Sequence, residues 1–421
     1  MTKTKPFAIS KRAVWEAYKR VKKNGGAAGV DDQSLADFED DLSNNLYKLW
    51  NRLASGSYFP PPVKRVEIPK SDGGKRPLGI PTVADRIAQA VIKAELEPEL
   101  EKHFHEHSYG YRPNKSAHQA IGVARRRCWH RDWVLDLDIR GFFDQIDHDL
   151  LMWAVRKHTD NAWVLLYIER WLPAPVQLPD GSLERRERGS PQGSVISPLL
   201  ANLFLHYAFD KWITDHHPNI WFERFADDVC CHCRSLAQAE WLKTTLEKRF
   251  RDCRLELHPE KTKIVYCQDG DRKLDFPVTS FDFLGYTFRA RRSKSREGKL
   301  FINFSPAISN KAAKCVRQEI RSWQLRCRFD KKIDDLAGMF NPVIQGWINY
   351  YGRYYQSALY PTLRYLNQRL VSWAMGKYKR LRRRQRRANH WIAAIAQRNP
   401  RLFAHWRLMK RTAAARAAGD G

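Results

Sequence analysis

Apolar and polar positions along the chain change period several times, and each change marks an element. Residues 7 to 60 carry two helical patterns separated by Asn24-Gly25-Gly26-Ala27-Ala28-Gly29, with Asp31 or Asp32 available to cap the second helix. Val63 to Pro81 alternates around Ser71-Asp72-Gly73-Gly74, which predicts two strands joined by a tight turn. Ile87, Val91, Ile92 and Leu96 return to helical spacing over Ala84 to His103, and Ser116 to Arg127 predicts another helix. A strand follows at Trp133 to Ile139, then a long amphipathic helical region from Asp149 to Trp171 and a punctuated, hairpin-like stretch from Pro173 to Pro191. A helix over Pro198 to Trp212, a hairpin over Trp221 to Arg234 and a helix over Leu236 to Phe250 come next. The strand Lys263 to Tyr266 opens a β-rich stretch ending near Phe288.

Beyond residue 288 the alternation of strands and helices stops. Arg289 to Lys299 holds six basic side chains and Glu297, and reads as a solvated connector or a phosphate-facing loop. Residues 306 to 375 are helix-like and rich in Trp and Tyr. Residues 376 to 421 hold fourteen Lys or Arg against one acid.

Composition narrows the function classes. A hydrophobic share of 43% across 421 residues excludes wholesale disorder and allows about three domains. A net charge of +28 calls for a polyanionic partner whose phosphates release counterions on binding. No secretory signal and no apolar run near 18 residues occurs, so no membrane role is expected, and a cytoplasmic location with eight reduced cysteines is. Cys230, Cys231, His232 and Cys233 contain a C-x-x-C without a second half of similar spacing, and they read as a short strand in preference to half a zinc site.

Two acidic segments carry the candidate chemistry. In Val134 to Asp144, strand alternation puts Asp136 and Asp138 on one face and Leu135, Leu137 and Ile139 on the other. In Arg224-Phe225-Ala226-Asp227-Asp228-Val229, two acids interrupt an apolar hairpin with no neighbouring base, a costly arrangement without a cation. Side by side on one sheet, the two segments would hold two magnesium ions about 4 Å apart, the arrangement that clamps both oxygens in phosphoryl transfer.

These and other motifs, in order, resemble group II intron-encoded proteins, the reverse transcriptase and maturase family. Gly29-Val30-Asp31 resembles its N-terminal extension motif, Lys75-Arg76-Pro77-Leu78-Gly79-Ile80-Pro81 its fingers motif, and Tyr109-Gly110-Tyr111-Arg112-Pro113 the next. Leu135 to Asp149 matches palm motif A, and Ser190-Pro191-Gln192-Gly193-Ser194-Val195-Ile196-Ser197-Pro198 motif B. Phe225-Ala226-Asp227-Asp228 stands where the family usually has Tyr-Ala-Asp-Asp, a departure that bears on nucleotide handling. Leu255 to Lys263 and Phe283-Leu284-Gly285-Tyr286 match the last palm motifs, and Gly346 to Tyr351 the thumb or maturase segment.

The resemblance implies a right-hand polymerase of α/β (α+β) class. Residues 1–62 would be an N-terminal helical extension, and 63–288 the fingers and palm with an antiparallel sheet. A helical thumb or maturase domain over 289–375 and a basic helical DNA-binding domain over 376–421 would follow. Asp138, Asp227 and Asp228 would bind two Mg2+ ions, and Phe143, five residues after Asp138, would exclude a 2′-hydroxyl. That spacing selects Asp138 over Asp136. Asp136, Asp144 and Asp147 are read as structural. Lys70, Arg76, Ile139, Gln192 and Lys263 would meet the nucleotide, Gln192 because Gly193 lets the backbone approach closely; Lys261 shares the position of Lys263. Lys64, Arg65, Arg112, Arg380, Arg383, Arg384 and Arg387 would meet nucleic acid, and Lys75 is left open between template and solvent. Lys377 to Arg387 is basic at eight of eleven positions, too dense to pair with nearby acids. Trp391, Phe403, His405 and Trp406 are read as a small core in preference to base-stacking groups.

The implied activity is RNA-directed DNA synthesis from dNTPs on an RNA template and DNA primer. With it go binding of group II intron RNA as a splicing maturase, and intron mobility by target-primed reverse transcription at a target DNA. The family's longer members append a zinc-containing endonuclease, and second-strand cleavage is not expected here. A splicing-only maturase and a domesticated reverse transcriptase in repair or phage defence are the rival functions. The sequence leaves the oligomeric state open.

Overall fold

The structure, a computed structural model, describes residues 5–69, 74–295 and 297–409. The chain divides into two compact units, Met1–Val265 and Tyr266–Gly421.

The first unit opens with α1 (Lys11–Asn24), α2 (Leu35–Asp40) and α3 (Leu42–Ala54). The cap on the second predicted helix is Ser34, in a reciprocal capping box with Asp37. Asp31 accepts from the Gln33 amide and Asp32 pairs with Lys64, so neither acid caps it. β1 (Val63–Pro69) and β2 (Lys75–Ile80) form the expected antiparallel pair, and α4 (Val83–Glu101) follows. α4 is buried on nearly every side through its first three turns, and Arg86 donates to the carbonyls of Gly25 and Ala27, pinning the glycine-rich loop. α5 (Ala117–His130), capped by Ser116 and Gln119, leads into β3 (Trp133–Leu137) and the single turn α6 (Phe142–Gln145).

The helical region predicted from 149 is two helices, α7 (His148–Arg156) and α8 (Ala162–Trp171). β4 (Val176–Gln177) and β5 (Leu183–Glu184) make the expected hairpin. β4 pairs with β1 in parallel, so this four-stranded sheet, ordered β2-β1-β4-β5, is mixed and not purely antiparallel. α9 (Ser197–Leu205) continues through a π-helical turn over His206–Asp210 into α10 (Lys211–His216). β6 (Trp221–Phe225), β7 (Asp228–Cys233), α11 (Leu236–Asp252) and β8 (Lys263–Tyr266) complete a second four-stranded sheet ordered β6-β7-β3-β8. Cys230, Cys231 and Cys233 are buried side chains of β7, as the strand reading required.

In the second unit, β9 (Phe281–Phe283), β10 (Tyr286–Lys294) and β11 (Leu300–Ile308) form an antiparallel sheet. Residues 289–299 are therefore no free connector. Arg289 to Lys294 pair residue by residue with Ser305 to Leu300, and the Ser295 amide donates to the Lys299 carbonyl at 2.8 Å just beyond the pairing. The helices α12 (Asn310–Ser322), α13 (Ile333–Tyr351), α14 (Tyr360–Lys377) and α15 (Gln385–Arg398) follow. Their core stacks Trp323 on Phe340 at 4.1 Å and on Trp347 at 5.5 Å, with Trp373 fully buried. Phe403 and Trp406 are buried in that core and Trp391 packs against it, while His405 is buried with a hydrogen bond to Asn367; the core reading of these rings holds. Among the described residues no helix is long and apolar enough to cross a membrane.

Candidate active site

β3 carries its apolar side chains inward, and Asp138 lies one residue past its end, half-buried. The predicted last palm motif holds that peptide from the other side. The His258 amide donates to the Asp138 carbonyl at 2.8 Å, and the Arg140 amide to the Glu256 carbonyl at 2.9 Å. Ile139 bridges Leu257, and its side chain is buried. The Ile139 side chain thus belongs to the core, and the nucleotide contact expected there falls to its backbone.

Asp227 and Asp228 sit at the tip of the β6–β7 hairpin, where Phe225 pairs with Asp228 around a two-residue turn. Ala226 in that turn has φ 56°, a left-handed conformation costly for a residue with a Cβ. What holds it is Arg224, fully buried. Arg224 donates to Asp210 through Nε at 2.7 Å and Nη2 at 2.5 Å, and its Nη1 reaches Asn202 at 2.9 Å and the Ala226 carbonyl at 3.0 Å. A bidentate pair with every neighbour satisfied is the arrangement in which a buried ion pair is tolerated. Asn202 also donates to the Gly110 carbonyl at 2.7 Å, so the same clamp grips the Tyr109–Pro113 segment against the turn.

The three acids influence one another electrostatically. Burial, with the charge of Asp138 adding, raises the Asp227 carboxyl above its ordinary range, and Arg76 opposes the rise. Asp228 occupies a recess that leaves its surface reachable, and burial followed by the charges of Asp227 and Asp138 pushes it up to about 6. Arg76 opposes this too, so the fingers supply the base that the linear sequence around Asp227 lacks. Tyr111, half-exposed with φ 58°, has its phenol raised by burial and then by Asp227, which places it beside the acids. Among the described residues no three acidic, histidine or cysteine side chains stand close enough to hold a metal. Asp138 instead meets Lys261 at 3.3 Å.

Phe143 is half-buried, edge-on to Phe142 at 5.4 Å, and its carbonyl accepts from the Ser190 amide at 2.7 Å. Motif A and motif B are thereby stitched together. Gln192 lies in the turn after Ser190, and its carbonyl accepts from the Gly79 amide at 2.6 Å. A Cβ on Gly193 would stand 2.5 Å from the Gly79 carbonyl oxygen, so a close approach to the β2 backbone by itself requires this glycine.

Of the remaining expected contacts, Lys70 lies outside the described residues. Lys261, not Lys263, reaches the acids; Lys263 is an exposed residue of β8. Lys64 pairs with Asp32 at 2.6 Å, Lys75 with Glu67 at 2.6 Å, and Arg65 stands 3.8 Å from Glu184. Arg112 is a correction. Its side chain is only 6% exposed and is spent on Glu101 at 2.9 Å and on the carbonyls of His105 and Ser108, so it braces a loop and cannot meet a phosphate. Arg380, Arg383, Arg384 and Arg387 are exposed. Asp147 caps α7, as a structural acid should. Sequence reasoning misses Arg224, Asp210 and Asn202, since a buried polar clamp leaves no local pattern.

Comparison with known proteins agrees with this geometry. The family model described as reverse transcriptase (RNA-dependent DNA polymerase) matches residues 68–288, and that of the group II intron maturase-specific domain matches 313–391. Protein YkfC of Escherichia coli is 32% identical over 317 residues, 66% of this chain and 80% of that protein. The group II intron-encoded protein LtrA of Lactococcus lactis is 34% identical over 200 residues, 47% of this chain and 33% of that protein. The putative COX1/OXI3 intron 1 protein of Saccharomyces cerevisiae is 29% identical over 287 residues, covering 64% and 32%. The chain thus matches about a third of the length of the latter two.

Proposed function

Because the chain belongs to the reverse transcriptase family, with a group II intron maturase-specific segment behind its polymerase domain, we propose that it copies RNA into DNA and assists splicing of a group II intron. A right-hand polymerase fold goes with that domain. On this reading the fingers and palm occupy 63–288, the thumb 289–375 and a DNA-binding segment 376–421, and the same protein supports intron mobility by priming on its target DNA.

The observation that carries the reading is the meeting of Asp138, Asp227, Asp228 and Arg76 across motifs that lie far apart in sequence. By donor type the acids suit divalent cations, and binding would draw together side chains that stand too far apart to share a metal in this structure. Their donors are hard oxygens, and two of the three have carboxyls raised by burial and mutual repulsion, a penalty that a cation relieves. Bound there in exchange for the Lys261 ammonium, two Mg2+ ions would stabilise charge on the attacking and leaving oxygens of nucleotidyl transfer.

The side chains divide the rest of the work. Arg76 neutralises triphosphate charge, and Lys261, released from Asp138, is the nearest cation for the departing pyrophosphate. Phe143 closes the sugar pocket against a 2′-hydroxyl, and Gln192 meets the nucleotide from the motif B turn. Phe225 keeps the ring beside the acids without a phenol.

Magnesium-dependent cDNA synthesis on a primed RNA template tests this. Asp227→Ala should lower synthesis by about a thousandfold or more while intron-RNA binding stays within about twofold. Tight binding of intron RNA with no synthesis by the unaltered protein would leave the splicing-only function.

A further inference from the structure

Behind the motif B turn lies a buried polar chain that nothing in the polymerase reading uses. Asp85 is 1% exposed and Gln89, one helical turn later on α4, is 1% exposed. A carboxylate and an amide at that depth are costly unless their polar atoms are hydrogen-bonded. Here each of the four side-chain oxygen and nitrogen atoms has a partner. Asp85 Oδ1 accepts from the Tyr58 hydroxyl at 2.8 Å and from Trp171 Nε1 at 2.7 Å, and Oδ2 accepts from Gln89 Nε2 at 3.0 Å. Gln89 Oε1 then accepts from two backbone amides of motif B, Val195 at 2.8 Å and Ile196 at 3.4 Å. The orientation of the Gln89 amide is forced: its donor end must face the carboxylate and its acceptor end the two amides.

The turn that carries Gln192 is therefore held at both ends. In front, its carbonyl takes the Gly79 amide of β2, three residues beyond Arg76. Behind, the amides that follow the turn are drawn onto Gln89. Within the turn, Ser190 Oγ donates to Ser197 Oγ at 2.7 Å, but Ser194 Oγ is buried without a partner beside a small cavity of about 10 Å³ lined by Gln89, Ser190 and Ser197. The turn packs closely on β2 in front, and on its other side, next to the cavity, Gln89 supplies its hydrogen-bonding anchor.

We propose that Asp85 and Gln89 are positioning residues for the incoming nucleotide, fixing the height of the Pro191-Gln192-Gly193 turn relative to Arg76. The proposal rests on the assignment of Gln192 to the nucleotide. Asp85 sets the orientation of Gln89, and Gln89 sets the turn; neither touches substrate.

The chain can be reversed without being broken, and that supplies the test. Asp85→Asn alone sets two amide N–H groups against each other, and Gln89→Glu alone sets two carboxylates against each other. In the double variant, Asp85→Asn with Gln89→Glu, the new amide donates to the new carboxylate. Tyr58, Trp171 and the two motif B amides all keep an acceptor, with the central bond running the other way. Steady-state kinetics on a saturating primed RNA template should show the dNTP KM raised about tenfold or more in each single variant, with kcat falling less and primer–template affinity unchanged. The double variant should return KM to within about threefold of the unaltered protein. Hydrogen exchange at the Val195 and Ile196 amides, measured on the full chain without substrate, should be faster in both single variants and protected again in the double.

Single variants that lose kcat and thermal stability with an unchanged KM, or a double variant no better than the worse single, would overturn the proposal. So would exchange at Val195 and Ile196 that is unaffected by either change. Should the unaltered protein make no cDNA, the polymerase reading fails, and the nucleotide role fails with it. The exchange pattern then reads only whether Gln89 anchors the turn, and so tells a failed anchor from a failed polymerase.

Discussion

At the residue scale the acids divide by what surrounds them. Asp138, Asp227 and Asp228 act on one another, and burial together with their mutual repulsion raises the carboxyls of Asp227 and Asp228. Asp85 faces three neutral donors inside α4, and burial wins over those hydrogen bonds, so its carboxyl is pushed up to about 6. An acid whose folded pKa lies above its unfolded value binds its proton more tightly when folded, and the protein loses stability as pH rises through that interval. The window runs from about 4 to about 6, and a shift of roughly two units corresponds to about 3 kcal/mol. Removing the charge removes the dependence. We therefore expect the stability of the unaltered protein relative to Asp85→Asn, from urea unfolding at successive pH values, to fall by about 3 kcal/mol between pH 4 and pH 7. A difference that is flat over this range, or that grows, would show Asp85 already ionised or stabilised in the fold.

At the element scale, what is legible in the sequence follows from how local its cause is. The alternation of β3 and the spacing of α4 are set by neighbours a few residues apart, and both appear as expected. The five-residue step from Asp138 to Phe143 is equally local. The break between α7 and α8 is local as well: Lys157 to Asn161 holds no apolar side chain and ends in Thr159-Asp160-Asn161, residues that favour caps and turns, so the single helical region expected from 149 overruns a readable signal. Residues 289–299 read as a connector because most of their side chains are charged and they carry no apolar face, while the apolar run Leu300 to Phe304, which closes the sheet as β11, is a strand signal that the reading passes over. The Arg224 clamp and the burial of Arg112 arise only from contacts between distant segments. The same holds for Gly110, whose reason is a backbone 116 residues away. A Cβ there would stand 2.9 Å from the Phe225 carbonyl carbon and 3.0 Å from the Ala226 Cα. Backbone at the tip of a hairpin clamped by Arg224 can yield only by moving Asp227. Displacements well under 1 Å matter in a positioned active site, so Gly110→Ala should cut cDNA synthesis by about tenfold or more. Its intron-RNA affinity and cooperative unfolding should be retained, as binding assays and circular dichroism would show. Full activity in that variant would mean that the turn tolerates displacement.

At the scale of the whole molecule, charge is not spread evenly. Residues 266–421 hold 33 Lys and Arg against 10 Asp and Glu, a net +23, and the first 265 residues account for the remaining +5 of the total +28. The unit with the acidic triad is nearly neutral. Several of its basic groups are matched by acids, among them Arg224 with Asp210 and Arg127 with Glu223 in the interior. The second unit has the opposite character. Its core is closed by Trp323, Trp373, Phe403 and Trp406, yet Leu381 alone of the stretch 379–387 turns inward, leaving Arg380, Arg383, Arg384 and Arg387 in solvent. Arginines so placed contribute little to stability and much to the binding of a polyanion, through counterion release. For duplex DNA, every phosphate that the protein ceases to neutralise lowers the slope of log K against log salt by about 0.9. Replacing these four arginines with alanine should therefore reduce that slope by about 2 to 4 in titrations of a duplex target, and unfolding should be unchanged. Synthesis on a saturating primed template should persist, because Asp138, Asp227 and Asp228 owe nothing to that surface. An unaltered slope would move the polyanion site to the cations of β10 and β11, a second dense basic group of the same unit.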